Sequence, residues 1–259
     1  MNEGRRHPDG IVIALDGPAG SGKSSTAKAV AAQLGYRHLD SGAFYRAITH
    51  AALQAGIPPE RWPELTGAEL DRLDVHGSPD AKGYTLTVAG AEVSAEIRSA
   101  AVNAHVSRMA AVPAVRGEDV GQAIRAPEVN AHVSHMAAVP AVREWLMGAL
   151  REAGASGGLV ADGRDIGTVV FPDAELKVYL VADPAERARR RLREQGTHEP
   201  SDDEVGAEAG RLLGRDEVDS TRAVAPLARA PDAVEVDTTG LEFAAQVAEI
   251  VRLARARGG

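Results

Sequence analysis

The apolar positions of the chain alternate between short compact runs and longer stretches with helical spacing. Ile11–Leu15 is a compact apolar run ending in Asp16 and a glycine-rich turn, which predicts a strand buried in a parallel sheet. Lys23–Leu34 follows with helical periodicity and stops at Gly35, a residue suited to a helix C-cap. Tyr36–Leu39 predicts a second short strand, and Phe44–Gln54 a helix ended by Gly56 and the Pro58-Pro59 pair. From there to about Gly90 the pattern is weak, apart from Tyr84–Val88, whose alternation predicts one strand of a small sheet. A long helical tract ends near Ala153. Leu159–Ala161 and Leu176–Val181 predict strands, with an arginine-rich helix over Pro184–Gln195. Val234–Val236 predicts the last strand and Phe243–Arg257 a closing amphipathic helix. Strands alternating with helices point to an α/β fold, a parallel sheet wrapped by helices on both faces.

One feature interrupts this alternation. Residues 90–116 and 117–143 form a tandem repeat, identical at 18 of 27 positions. The run Val102–Ser107 returns unchanged as Val129–Ser134. Two copies are too few for a solenoid, so a local duplication is the simpler account. His105 and His132 recur with it, but without metal-ligand spacing, and read as ordinary helix residues.

Composition sharpens the picture in three ways. Aromatic residues make up only 3% of the chain, so the core must be aliphatic. A net charge of −8 argues against a nucleic-acid binder, which needs a basic face. Cysteine is absent, which excludes disulfides and thiolate metal sites. The first ten residues are short and polar, without a signal-peptide core, and no apolar run is long enough to span a bilayer. The expectation is a cytoplasmic monomer without nucleic-acid or membrane partners.

The strongest chemical signal is Gly17-Pro18-Ala19-Gly20-Ser21-Gly22-Lys23-Ser24, a P-loop between a buried strand and a helix. Its glycines let backbone N–H groups converge on phosphate oxygens, and the helix N-terminus adds its positive end. Lys23 is placed for the β- and γ-phosphates and the Ser24 hydroxyl for Mg²⁺, with Ser25 completing the nucleotide-binding stretch. No Asn-Lys-x-Asp tetrapeptide is present, which speaks against a guanine-specific switch.

A P-loop kinase also needs a second anion site that holds the acceptor in line with the γ-phosphate. Arginine suits that task because its fork binds phosphate at two points and keeps its charge. Candidates at element ends are Arg46, Arg98 or Arg125, Arg116 or Arg143, and Arg164. Asp162-Gly163-Arg164-Asp165 follows a predicted strand, at the carboxyl edge where open α/β sheets bind ligands. There Arg164 suits a phosphate clamp, Asp165 an acceptor for base amino or ribose hydroxyl groups, and Asp162 a Mg²⁺ site through water. Arg211–Arg222 fits two readings: a lid closing over the triphosphate, or a helix laced with ion pairs.

Several stretches together resemble the bacterial cytidylate kinases. They are Ile13–Ser24, Leu39–Arg46, Val93–Arg98, Val139–Arg143, Asp162–Asp173 and Arg215–Arg222 with Pro226-Leu227. The Asp-Gly-Arg-Asp-Ile-Gly-Thr segment is absent from adenylate, guanylate and shikimate kinases. The resemblance implies a three-part nucleoside monophosphate kinase: a core, a monophosphate-binding insertion over 57–143, and a lid over 196–223, after a tail of residues 1–10. It implies direct transfer from Mg-ATP to CMP or dCMP, and to UMP more weakly. Ser41, Arg46 and Arg164 would hold the acceptor phosphate, with Asp40 beside them. Asp165 would read cytosine with the Ser and Arg of the repeat. Arg215, Asp219 and Arg222 would contact ribose and phosphates. The family carries the repeat unit once. Copy two runs on into the core, so Arg125, Ser134 and Arg143 are preferred over Arg98, Ser107 and Arg116, with a hybrid of the two sets also open. Rival readings are a kinase for another small acceptor, a nucleotide-binding regulatory protein disabled by the duplication, and an ATPase or GTPase switch.

Overall fold

The computed structural model describes residues 9–80, 83–93, 124 and 127–259. Two compact units are found, the first within 1–42, 81–83 and 147–259, the second within 43–80 and 84–146.

The first unit is built on a five-stranded, wholly parallel sheet. Its strands are β1 (Val12–Asp16), β2 (Arg37–Asp40), β6 (Leu159–Gly163), β7 (Leu176–Val181) and β8 (Val234–Asp237), in the order β2-β6-β1-β7-β8. All five residues of β1 and of β6 are buried, as their unbroken apolar runs require at the centre of a two-sided sheet. Helix α1 (Lys23–Leu34) and the last helix, α8 (Phe243–Arg255), seal one aliphatic cluster with the sheet. It includes Ile13, Leu15, Val30, Leu180, Val247 and Ile250. Each such side chain contributes about 1.5–3 kcal/mol on burial, so aliphatics suffice without aromatics. Helices α6 (Pro184–Glu194) and α7 (Asp202–Thr221) pack through Ala188, Leu192, Val205 and Leu212, with Ala19 of the P-loop among them. The register pairs Asp40 with Asp162 and Asp16 with Gly163, so three acidic residues line one edge of adjacent strands.

Helix α2 (Ser41–Gln54) starts three residues earlier than its periodicity predicts. Strand β2 runs straight into it, and the Ser41 hydroxyl donates to the Asp162 carbonyl at 2.8 Å, which leaves no linker.

The second unit holds most of α2, a 3₁₀ turn (Pro59–Glu64), α3 (Gly67–Arg72) and a three-stranded sheet. That sheet is ordered β3 (Val75–Asp80), β4 (Gly83–Val88), β5 (Ala91–Val93). Only β4 is visible in the alternation of the sequence. Gly77 and Pro79 in β3 erase its pattern, whereas α3 announces itself by a capping box between Thr66 and Glu69. The predicted helical tract is two helices, α4 (Pro127–Ala138) and α5 (Pro140–Ala153). Pro140 takes the first position of α5 because proline is disfavoured inside a helix and suited to its start. Trp62 is buried and meets the His132 ring edge-on at 5.6 Å, so His132 packs against the 3₁₀ turn. No helix among the described residues is long and apolar enough to cross a membrane.

Candidate active site

The P-loop is shaped by the end of β1 and the start of α1. Gly17 has φ 155°, and a Cβ there would lie 2.3 Å from the Leu180 carbonyl oxygen of β7. Gly22 caps α1 in the left-handed conformation, φ 84°, with no side chain to occupy the first-turn N–H groups. Those donors and the positive end of the helix are thereby left for an anion. The Ser21 hydroxyl is fully buried and finds no hydrogen-bond partner among the described residues, a further polar group in want of an acceptor or donor. Lys23 is buried and donates to the Pro18 carbonyl at 3.0 Å. Burial, with the Arg164 charge in support, lowers its pKa to about 7.

Asp162 is the hub beside the loop and is 1% exposed. The Ser24 hydroxyl donates to its Oδ2 at 2.5 Å, and His38 Nε2 lies 2.7 Å from its Oδ1. Burial alone would lower the His38 pKa, but the hydrogen bond and charge of Asp162 outweigh it and raise it. Asp40 sits opposite Asp162 in the register.

Asp16 holds the neighbouring turn. Its two carboxylate oxygens accept from the backbone N–H groups of Ile166 and Gly167 at 2.8 and 2.7 Å. These groups open a π-helical turn over Ile166–Val170, directly after Arg164-Asp165. Burial raises the Asp16 pKa to about 7 despite the two N–H donors. Arg164 donates through Nε to Asp219 at 2.9 Å and through Nη1 to the Gly17 carbonyl at 3.1 Å. Arg222 stands 3.7 Å from Asp165 and 3.9 Å from Asp219. Arg215 is near enough to Lys23 to act on its charge.

Helix α7 reaches the P-loop itself. Asp216 accepts from the Ala19 N–H at 2.8 Å, and Arg187 of α6 bonds both Asp216, at 2.5 Å, and the Ala19 carbonyl, at 2.9 Å. On the other side Arg190 is tied to the Thr238 hydroxyl and carbonyl, and Gln246 donates to Thr26 of α1. Ion pairs at i,i+3 spacing, as the second reading of Arg211–Arg222 expects, stand at both ends of that stretch. The exposed Arg211 pairs with the buried Glu208, while Asp216, Asp219 and Arg222 engage the loop and the Arg164-Asp165 turn.

The first unit thus gathers Gly17, Pro18, Ala19, Ser24, Asp162, Arg164, Asp165, Asp219 and Arg222, all read from the sequence. Asp16, His38, Arg187 and Asp216 were missed as site residues. Asp16 and Asp216 lie inside motif stretches already singled out, whereas His38 carries no sequence signal. In the second unit Arg46 is half-buried on α2, and Ser134 and Arg143 are buried on α4 and α5. Arg143 donates to the Ala137 carbonyl at 3.1 Å and stacks over Tyr45, 5.8 Å from the ring centre. Arg98, Ser107, Arg116 and Arg125 lie outside the described residues.

Against known proteins, the family model described as cytidylate kinase matches residues 13–118 and again 115–256. The chain belongs to the cytidylate kinase family. The two matched segments meet at the repeat junction, as expected if the family unit is present twice. The chain is 41% identical over 244 residues to the cytidylate kinase of Streptomyces griseus, covering 93% of this chain and 90% of that one. Against the cytidylate kinase of Mycobacterium avium identity is 40% over 249 residues, covering 95% and 96%. A bifunctional pantoate ligase/cytidylate kinase of Synechococcus elongatus is 44% identical over 253 residues, 95% of this chain. The chain spans only 42% of that protein's length.

Proposed function

We propose that this cytidylate kinase family member transfers the γ-phosphate of ATP directly to CMP and dCMP. The observation that carries the reading is the convergence, within one unit, of an open phosphate loop with the Arg164 clamp and the Ser24–Asp162 pair. The loop supplies uncapped N–H groups and the buried Ser21 hydroxyl, which suit triphosphate oxygens. Mg²⁺ fits the hard oxygen pair of Ser24 and Asp162, the latter through water, as an ion that keeps part of its hydration. When bound, it neutralises charge on the β- and γ-phosphates.

The protein's own groups account for the rest. Lys23 leaves the Pro18 carbonyl for the phosphates, and Arg164 exchanges Asp219 for the acceptor phosphate. Ser41 and Asp40 lie beside it at the strand ends, Asp165 accepts from the cytosine amino group, and Asp219 is freed for the ribose. Arg215 and Arg222 neutralise charge on the transferring group, in the segment 196–223 that serves as the lid. The acceptor phosphate oxygen attacks in line, so positioning and charge neutralisation suffice without a dedicated base. Roles for Arg46, Arg125, Ser134 and Arg143 rest on the motif resemblance.

The test is a coupled ADP-release assay with Mg-ATP, offering CMP, dCMP, UMP, AMP and GMP in turn. Stimulation by CMP and dCMP above the others is expected. ATP binding without release for any acceptor would sink the reading and leave a nucleotide-binding protein. Substituting Ser134→Ala beside Ser107→Ala separates the copies: loss of CMP turnover in the first alone is expected.

A further inference from the structure

His38 has no part in the chemistry above, yet its ring nitrogen lies 2.7 Å from the Asp162 carboxylate. The parallel register sets His38 opposite Val160 and Asp40 opposite Asp162. Alternation along each strand then puts His38, Asp40, Val160 and Asp162 on the same face, with His38 diagonal to Asp162. From there the imidazole takes Oδ1 of Asp162 at 2.7 Å, while Oδ2 accepts from Ser24 at 2.5 Å. We propose that His38 is a positioning residue for the metal end of the kinase site: by holding one oxygen of Asp162, it fixes the carboxylate so that the other stays aligned with Ser24. The proposal rests on the kinase reading above.

The physical need is specific. The terminal torsion of an aspartate is broad and two-fold, so a carboxylate held by one oxygen swings about that bond. Held at both oxygens by partners on different strands and helices, its plane is set. Asp162 is buried, and its backbone carbonyl is tied separately to Ser41, so among the described residues His38 and Ser24 are the side chains that hydrogen-bond its carboxylate. Outer partners of this kind influence metal affinity by about 10- to 100-fold when removed. A histidine serving packing alone would affect folding and leave the Mg²⁺ dependence of nucleotide binding intact.

The experiment is calorimetric titration of ATP into the full chain, in Mg²⁺ and in EDTA, for the natural protein and for His38→Leu and His38→Gln. His38→Leu is expected to lose about tenfold of the Mg²⁺-dependent gain in ATP affinity while keeping its affinity in EDTA. The Mg²⁺ concentration for half-maximal ADP release should rise by a similar factor. His38→Gln, whose amide can still donate, is expected to retain most of the gain. If leucine prevents folding, His38→Asn, polar but too short to reach, takes its place as the removal variant. An unchanged Mg²⁺ gain in the removal variant overturns the proposal, and so does an equal loss in Mg²⁺ and EDTA. A natural protein that shows no Mg²⁺ gain overturns the kinase reading itself, an outcome separate from either.

Discussion

Lys23 and Asp16 each carry a charge that burial disfavours, in opposite directions. With its pKa near 7, the Lys23 amine is mostly neutral at pH 8 in the nucleotide-free protein. Phosphates beside it restore the ammonium, so ATP binding at pH 8 should take up as much as about one proton. Calorimetry in buffers of different ionisation enthalpy reads that number directly, and zero uptake would mean Lys23 does not change charge. Asp16 is the mirror case. Its folded pKa near 7 exceeds the ordinary 3.8, so between those values the folded protein binds more protons than the unfolded chain. Its contribution is therefore full at low pH and falls as pH rises towards 7. Asp16→Asn removes this slope. The melting temperature of the variant relative to the natural protein should climb from pH 4.5 to pH 7.5, and parallel curves would refute the assignment.

At the scale of elements, α6 and α7 are joined to the P-loop by charge. Arg187 is 5% exposed and Asp216 14%, and Asp216 also satisfies the Ala19 N–H. Removing one partner of such a pair leaves a buried charge uncompensated, at about 3 kcal/mol. Asp216→Ala should lose that much stability in urea denaturation followed by circular dichroism. Tryptophan fluorescence is the wrong probe, because Trp62 and Trp145 both lie in the second unit. A loss below about 1 kcal/mol, the range of an exposed pair, would show that α7 is not anchored through this contact. Helix α7 opens on a capping box between Ser201 and Glu204, a local signal inside the 196–223 segment.

Over the whole molecule the duplication is the open variable. Deleting residues 94–120 removes one 27-residue period and keeps Arg125, Ser134 and Arg143. If copy two serves CMP, the shortened chain keeps CMP-stimulated ADP release in the coupled assay. Abolished release with ATP binding intact would assign an essential role to the first copy.

Much of the core was written in local pattern. The strands of the large sheet, α1 and the phosphate loop were legible because buried parallel strands are continuous apolar runs and the loop's chemistry is backbone chemistry, fixed by consecutive glycines. The Asp-Gly-Arg-Asp segment was legible as charge placed after a strand. Strands β3 and β5 were not, since glycine and proline break the two-residue period of β3 and β5 is only three residues long. Nor were the contacts of Asp16 with Ile166 and Gly167, of Asp216 with Ala19, or of His38 with Asp162, which join residues more than a hundred positions apart. Sequence by itself determined the kind of site and its phosphate chemistry, because those depend on neighbouring residues. Only the tertiary structure decided which carboxylate orients which donor, because that depends on strand register and helix docking, set by packing of the whole core.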